Sequence, residues 1–259
     1  WSMWEFTSYK NMKKSSRTTL KKRMKNFDAF VGYSDVDRDC MTPYFAGPVV
    51  IQQGGFDPSL WPVATQRDWS GPFRFCMNGQ LGPRKSPFTA IQAFSELRNE
   101  HEDFAKDARL MIHTTVPGLH SKMQDVYPGL RIFYEVWPQD LVYEFYANAH
   151  VLLGPSRGEG KFLPALEFMA TGGTTITTNW SGPTQWLNPE YAYPLDYELT
   201  PFDPSKPEPL WATPSVTHLK ELMLHAFRNR DEVRRKGELA SQIIPAMCSW
   251  DAVVDRLFL

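Results

Sequence analysis

Glu159 and Glu167 stand with seven residues between them in the run Gly154-Pro155-Ser156-Arg157-Gly158-Glu159-Gly160-Lys161-Phe162-Leu163-Pro164-Ala165-Leu166-Glu167. The apolar residues Ala149 to Leu153 ahead of it read as a strand, and Pro164 suits the opening of a helix, where a missing N–H costs nothing. A strand, a glycine-bearing loop and a helix start present free backbone N–H groups and a positive helix end, which suits a phosphate. Carboxylates beside such a turn accept hydrogen bonds from sugar hydroxyls. Glu167, about one turn into the helix, is placed to take both hydroxyls of a ribose. Glu159, in the loop itself, lies closer to a reacting sugar. The run points to a ligand carrying both phosphate and sugar.

Two more loops follow strand-like runs. In Gly79-Gln80-Leu81-Gly82-Pro83-Arg84-Lys85, the last two residues suit a diphosphate, Arg84 as a planar fork and Lys85 as a point charge. Two solvated loop cations are the competing reading, and spacing alone favours it. In Val136-Trp137-Pro138, backbone groups are placed to read a nucleobase edge while Trp137 packs nearby; a buried tryptophan with no ligand role fits equally well. His113, His120 and His150 have no partner at metal spacing and read as structural. No Ser-His-Asp arrangement and no Walker-type loop is apparent.

The elements that must hold these loops alternate along the chain. Strands are expected at Phe27–Tyr33, Pro48–Gln52, Phe73–Met77, Arg109–Thr114, Leu130–Tyr134, His150–Leu153 and Thr174–Thr178. Helices are expected at Asp35–Phe45, Phe88–Glu100, Leu141–Asn148, Pro164–Ala170, Val216–Asn229 and Asp231–Ile244, with Ser249-Trp250 capping a last one. Asn188 to Pro214, rich in proline, reads as irregular. This alternation predicts an α/β fold, an open parallel sheet covered on both faces, with its ligand at the carboxyl ends of the strands.

Bulk properties bound the rest. At 259 residues with 42% hydrophobic and 22% charged side chains, the chain can bury one or two ordinary cores. Nine tryptophans favour large packed cores and stacking surfaces. Cys40, Cys76 and Cys248 are widely spaced and odd in number, which predicts reduced thiols in a cytosol-like compartment. No run is long enough for a transmembrane helix. Lys10 to Lys25 holds eight basic residues and no acid; taking these from the net charge of −1 leaves −9 on the remainder. Such a run suits peripheral contact with anionic lipid, but its few apolar residues (Met12, Leu20, Met24) make a solvated face the preferred reading, and no nucleic acid is expected.

Taken in order, the motifs resemble those of the retaining glycosyltransferases of family 4. PSRGEGKFLPALEFMATGG is similar to that family's "PSxxEGFGLPxLEAMAxG", and FRFCMNGQLGPRKSPFTAIQAF to its "FxFVGRLxxRKGxxxLIxAF". VVIQQGGFDPSLWP, MWEFT near the start and SWDAVVDR near the end also match. The resemblance covers nearly the whole chain. It implies the GT-B fold of two facing Rossmann-like domains, a nucleoside diphosphate sugar (UDP- or GDP-linked) as donor, transfer of a hexose to an acceptor hydroxyl with retention, and no metal or other cofactor. It further implies that Lys85 contacts the donor phosphates, Glu159 is the catalytic carboxylate on the transferred sugar, and Glu167 binds the ribose. The backbone of Lys161, Phe162 and Leu163 would line phosphate and sugar, with Val136 and Trp137 near the base.

The chain departs from the family at three points. Gln80 stands where the family has a phosphate-binding arginine, with Arg84 as the candidate replacement. Lys161 and Phe162 stand where the family has an aromatic residue and a glycine; Lys161 is placed to restore the missing charge, and Phe162 to narrow the sugar pocket. A complete member would carry about 150 residues more ahead of MWEFT. The resemblance therefore implies a remnant of the facing domain over 1–56, a linker over 57–72, the nucleotide-sugar domain over 73–245 and a C-terminal helix over 246–259 packing back on the N-terminal part. The alternative is a nucleotide-sugar-binding module without transferase activity of its own, completed by a partner chain or a homodimer. A sugar-nucleotide epimerase of the same fold fits the ordered motifs less well.

Overall fold

The computed structural model describes residues 14–80, 82–115, 126–206 and 209–258. MWEFT, His120, Leu81 and the first two lysines of the basic run lie outside them. The centre of the molecule is a six-stranded, wholly parallel sheet built from β3 (Phe73–Asn78), β4 (Ala108–Thr114), β5 (Leu130–Tyr134), β6 (Val151–Gly154), β7 (Thr174–Thr178) and β8 (Tyr193–Leu195). Its spatial order is β5-β4-β3-β6-β7-β8, so the winding reverses between β3 and β6. In such a sheet the carboxyl ends of the two strands at the reversal open a crevice, because the chain leaves them in opposite directions.

The period-2 alternation of β3 shows how sequence becomes layers. Phe73, Phe75 and Met77 face one side and pack with Ala90, Ile91, Phe94 and Leu97 of α3 (Pro87–Glu100), Phe104 of α4 (Glu102–Asp107) and Leu219 and Met223 of a later helix, Val216–Arg228. Cys76 faces the other side, where Phe145 and Tyr146 of α5 (Gln139–Ala147), Leu166 and Phe168 of α6 (Leu163–Ala170) and Ile244 form a second cluster. The helix Val216–Arg228 is α7, and Arg230–Cys248 and Trp250–Phe258 are α8 and α9. β7 is buried throughout although four of its five residues are threonines. Their hydroxyls are bonded: Thr174 Oγ1 donates to the Tyr191 carbonyl (2.7 Å) and Thr175 Oγ1 to that of Leu152 (2.9 Å).

One sequence expectation is corrected. Asn188 to Pro214 is ordered: β8 pairs with β7 at the sheet edge, and Tyr197–Pro201 (β9) with Leu210–Pro214 (β10) forms an antiparallel ribbon. The prolines that suggested irregular chain are tolerated because Pro194 lies on an edge strand and Pro201 and Pro214 end their strands. α4 went unread, being short, and α8 continues through Pro245 to Cys248.

Ahead of the sheet, α1 (Lys14–Met24) and α2 (Asp35–Met41) flank a small parallel pair, β1 (Phe30–Gly32) and β2 (Val49–Ile51). The Asp37 carboxylate accepts the Tyr33 and Ser34 N–H groups (2.7 and 3.1 Å), which fixes the start of α2. α1 is mostly exposed, and its Met24 joins Cys40, Met41 and Phe45. Phe56 N–H donates to the Cys248 carbonyl (3.0 Å) and its carbonyl accepts from Trp250 N–H (3.2 Å), so the end of the chain returns to the segment following β2. Between Phe56 and β3, the buried Arg67 donates to the carbonyls of Tyr146 (2.8 Å) and Thr171 (2.9 Å). Among the described residues no helix is long and apolar enough to cross a membrane.

α8 lies directly on the turn that ends α6. A Cβ at Gly237 would stand 2.2 Å from the Gly172 carbonyl oxygen, a backbone atom that cannot swing aside. Gly237→Ala should therefore destabilise the fold by about 1–3 kcal/mol and lower Tm by several degrees. An unchanged melting curve would show that α8 can lift off α6 without cost.

Candidate functional site

The loops after β3 and β6 meet across the crevice and are tied backbone to backbone. Arg157 N–H donates to the Arg84 carbonyl (2.7 Å), and Ser156 Oγ donates to the same oxygen (3.1 Å). The Arg84 guanidinium donates to the Gly158 carbonyl (2.8 Å) and lies 2.9 Å from Glu159 Oε1. Lys85 Nζ lies 2.6 Å from that same oxygen and 4.6 Å from the centre of the Phe162 ring. The structure thus brings Arg84, Lys85 and Glu159 together as one ion cluster. The Glu159 side chain is 7% exposed and that of Lys85 15%. Burying a lone carboxylate would cost several kcal/mol, and two cations at contact distance offset that cost. Gln80 sits at the mouth of a narrow pocket shared with Gly79, Lys85, Gly154, Ser156 and Phe162.

The local backbone is held in conformations that side chains rarely adopt. Ser86, Phe162 and Ser181 all have positive φ (45°, 64° and 60°), one on each loop after β3, β6 and β7. Such positions cost of order 1–3 kcal/mol each and persist only where surrounding contacts impose them. Phe162 is buried and caps α6, which begins at Leu163, so that Pro164 is its second residue rather than its first. In the first turn of α6, Pro164 has no N–H and the Ala165 N–H donates to the Phe162 carbonyl (3.0 Å), which leaves the Leu163 N–H as the donor at the helix start on the crevice side of the sheet.

A third loop braces the second. Gly182 N–H donates to the Glu159 carbonyl (2.9 Å), and a Cβ at Gly182 would lie 1.8 Å from the Gly160 oxygen. The buried Gln53, just after β2, donates through Nε2 to the Tyr33, Gly160 and Gly182 carbonyls. Arg157 bridges further: it donates to Ser86 Oγ (3.0 Å) and to Thr213 Oγ1 of β10 (2.8 Å), and stacks on Trp211. Sequence reading missed Gln53 and Arg157, because their partners lie tens of residues away.

The remaining expected residues divide. The Lys161 ammonium points at the rings of Phe56 and Trp250 (5.7 and 5.8 Å) and makes no hydrogen bond. Burial pushes its pKa down to about 8, with Glu167 among the nearby charges opposing the shift. Its carbonyl accepts from Trp186 Nε1 (2.9 Å). Trp137 lies flat on the His113 ring, 4.0 Å away at 2°, while Val136 is 84% exposed. Glu167 projects from α6 toward the Tyr146 hydroxyl (3.5 Å). His150 is structural: it accepts the Arg74 N–H at Nδ1 (2.9 Å) and donates to the Asp68 carbonyl (2.7 Å).

Burial raises the Glu167 carboxyl to about 7, against the pull of the Tyr146 hydrogen bond and the Lys161 charge. A folded pKa above the unfolded one contributes stability that is complete below the unfolded value of about 4.5 and is lost as pH rises through about 7. Over that window this group should withdraw about 3 kcal/mol. Urea denaturation at pH 4.5, 6 and 7.5 should show Glu167→Gln lacking this decline and gaining on the wild type at pH 7.5. Parallel pH profiles would mean that Glu167 titrates normally.

The sequence profile described as "Glycosyl transferases group 1" matches residues 72–195, the stretch from β3 to β8 that holds the crevice. No curated protein matches the chain. Among solved structures, sucrose-phosphate synthase from Thermosynechococcus elongatus superposes with a TM-score of 0.71 at 16% identity, over 95% of this chain and 60% of that one. TarM of S. aureus gives 0.72 at 11%, over 98% and 48%. HepE of Anabaena, in a structure with UDP and glucose, gives 0.67 at 11%, over 94% and 66%. The chain thus spans about half to two thirds of these relatives, at identities that speak for the fold alone. The profile match over residues 72–195 spans just under half of the chain, and the chain shares the GT-B-type fold of these solved structures.

Proposed function

We propose that the chain binds a nucleoside diphosphate sugar across the β3–β6 crevice and forms the donor side of a retaining, metal-independent hexosyltransferase. The observation that carries this reading is the cluster of Lys85 and Arg84 on Glu159 at the sheet reversal, beside the start of the helix that bears Glu167. Positive side chains and the backbone N–H groups of Phe162 and Leu163 at the helix start lie where a diphosphate would sit, and a carboxylate follows one turn along where a ribose would lie. The HepE structure with UDP and glucose, on the same fold, supports a uridine nucleotide as the first donor to try.

In this reading residues 73–245 are the donor-binding domain, with an acceptor-side wall supplied from beyond the sheet. Lys85 shifts from Glu159 onto the diphosphate and, with the N–H groups at Phe162 and Leu163, stabilises the charge that develops as the sugar leaves. The freed edge of Glu159 then faces the transferred sugar. Arg84 stays on Gly158 and holds the loop, replacing the charge lost at Gln80 only in part. Lys161 serves through its backbone, since its ammonium is taken up by Phe56 and Trp250. Val136 and Trp137 flank the base. The leaving diphosphate takes part in deprotonating the acceptor hydroxyl, so no separate general base is required on this side.

In buffer containing EDTA, UDP, GDP or UDP-glucose at millimolar concentration should raise Tm. Lys85→Met should weaken the binding nucleotide about tenfold or more, the loss expected for a charge-assisted hydrogen bond. Glu159→Gln should bind the nucleotide within a few-fold of wild type and abolish sugar release or transfer. No Tm shift with any of the three ligands would contradict the donor site. Binding without turnover in the wild type would leave the binding-module alternative, completed by a second chain.

A further inference from the structure

Behind the crevice a line of polar side chains crosses the apolar face of the sheet. Asn78 ends β3, and its register partner is His113, next to last in β4, so both side chains emerge on the α5–α6 face. Asn78 Oδ1 lies 2.9 Å from His113 Nδ1, and Asn78 Nδ2 donates to the Tyr146 hydroxyl (2.7 Å). Tyr146 in turn donates to Glu167 Oε2 (3.5 Å). At the other end His113 Nε2 lies 3.0 Å from the Glu135 carbonyl, and the His113 ring is the surface on which Trp137 rests. One chain of contacts therefore runs from the backbone of residues 135–137 to the carboxylate on α6. Tyr146 is fully buried and His113 nearly so, both set among the aromatic and aliphatic side chains of the second cluster. Buried polar groups are kept in such a place only when satisfied, and a satisfied chain fixes its members' positions.

We infer that Asn78 and His113 are positioning residues that couple the base-side loop to the ribose carboxylate, so that base and ribose are recognised as one unit. The inference rests on the donor-site reading above, in which Glu167 takes the ribose hydroxyls. The asparagine amide suits this role because it offers a carbonyl to one neighbour and an N–H to the other. Turning the amide over reverses the bonds on either side of Asn78, while the Glu135 carbonyl accepts from His113 Nε2 in both directions; in the first direction His113 also donates from Nδ1 to Asn78 Oδ1 and so carries a proton on each ring nitrogen. With neutral His113 donating to the Glu135 carbonyl, the Asn78 N–H then meets Nδ1, and the Tyr146 O–H turns to Asn78. An ionised Glu167 fits only the first direction, in which Tyr146 donates to it. A ribose diol donating to Glu167 selects that direction, and its choice reaches His113, three contacts away, on whose ring Trp137 rests. Leucine at position 78 fills similar space and carries no such signal.

The test compares UDP and GDP, whichever binds tighter, with its 2′-deoxy counterpart by calorimetry. Wild type should bind the ribonucleotide about tenfold or more tightly than the deoxynucleotide, as befits a hydrogen bond to a charged group. Asn78→Leu should collapse that ratio to about threefold or less while leaving most of the deoxynucleotide affinity. His113→Phe, which keeps the stack on Trp137, should do the same and serves if Asn78→Leu fails to fold. A variant that weakens both nucleotides equally, or preserves the ratio, would overturn the coupling. Absence of 2′-hydroxyl discrimination in the wild type would instead remove Glu167 from the ribose, and the donor-site reading with it.

Discussion

The arrangement of this protein depends on one ion cluster placed at the reversal of a parallel sheet. The loops leaving β3 and β6 diverge by topology, and the Glu159 carboxylate, with Lys85 and Arg84, draws them back together. Each partner alone would be costly to bury, and Ser86 and Phe162, on the same two loops, both take backbone conformations with positive φ. The same charges make the crevice ready for an anion. In the proposed reading, a diphosphate entering there would replace a carboxylate that already occupies the cations and so find donors in place rather than having to recruit them from solvent.

Around the cluster, each neighbouring element contributes a brace. Gln53 reaches from the β1–β2 segment to the Gly160 and Gly182 carbonyls, and Gly182 supports Glu159 from the β7 loop. Arg157 ties the β3 loop to the β9–β10 ribbon. α8 presses on the turn after α6 through Gly237, which fixes the helix that carries Glu167. The Glu167 carboxyl is a separate device: it is desolvated rather than ion-paired, and its link is to Tyr146 and the base-side loop. The two halves of the crevice are thus built on different chemistry, charge on one side and a hydrogen-bonded chain on the other; the proposed donor would set its phosphates against the first and its nucleoside against the second.

Much of this was legible in the sequence, for physical reasons that can be stated residue by residue. Four strands of the sheet, β3 to β6, read as apolar-rich runs because both faces are covered, β7 read as a strand through its β-branched threonines, and the helices between them kept their 3.6-residue stripe, while β8 went unread. Glu159 and Glu167 stood out because loop and helix start determine where such side chains emerge, whereas spacing alone favoured solvated cations for Arg84 and Lys85, which the structure brings onto Glu159. The ribbon over 197–214 was hidden by prolines that sit at strand ends or on an edge, where proline does no harm. Lys161 read as a phosphate ligand from its position alone; the structure turns its ammonium to Phe56 and Trp250, a contact 105 and 89 residues away in sequence that no local pattern encodes. Asn78 and His113 were readable in part, since strand alternation puts Asn78 on the face of Cys76, but the register that pairs it with His113 is set by tertiary packing.

The central claim is that the diphosphate of a nucleotide lies between the β3 loop and the start of α6. A crystal structure of the protein grown with UDP in the presence of EDTA tests it most directly. The account predicts phosphate oxygens within hydrogen-bonding distance of Lys85 Nζ and the N–H groups at Phe162 and Leu163, with the ribose on Glu167. Nucleotide bound elsewhere, or a Lys85–Glu159 pair left intact beside an ordered diphosphate, would contradict it.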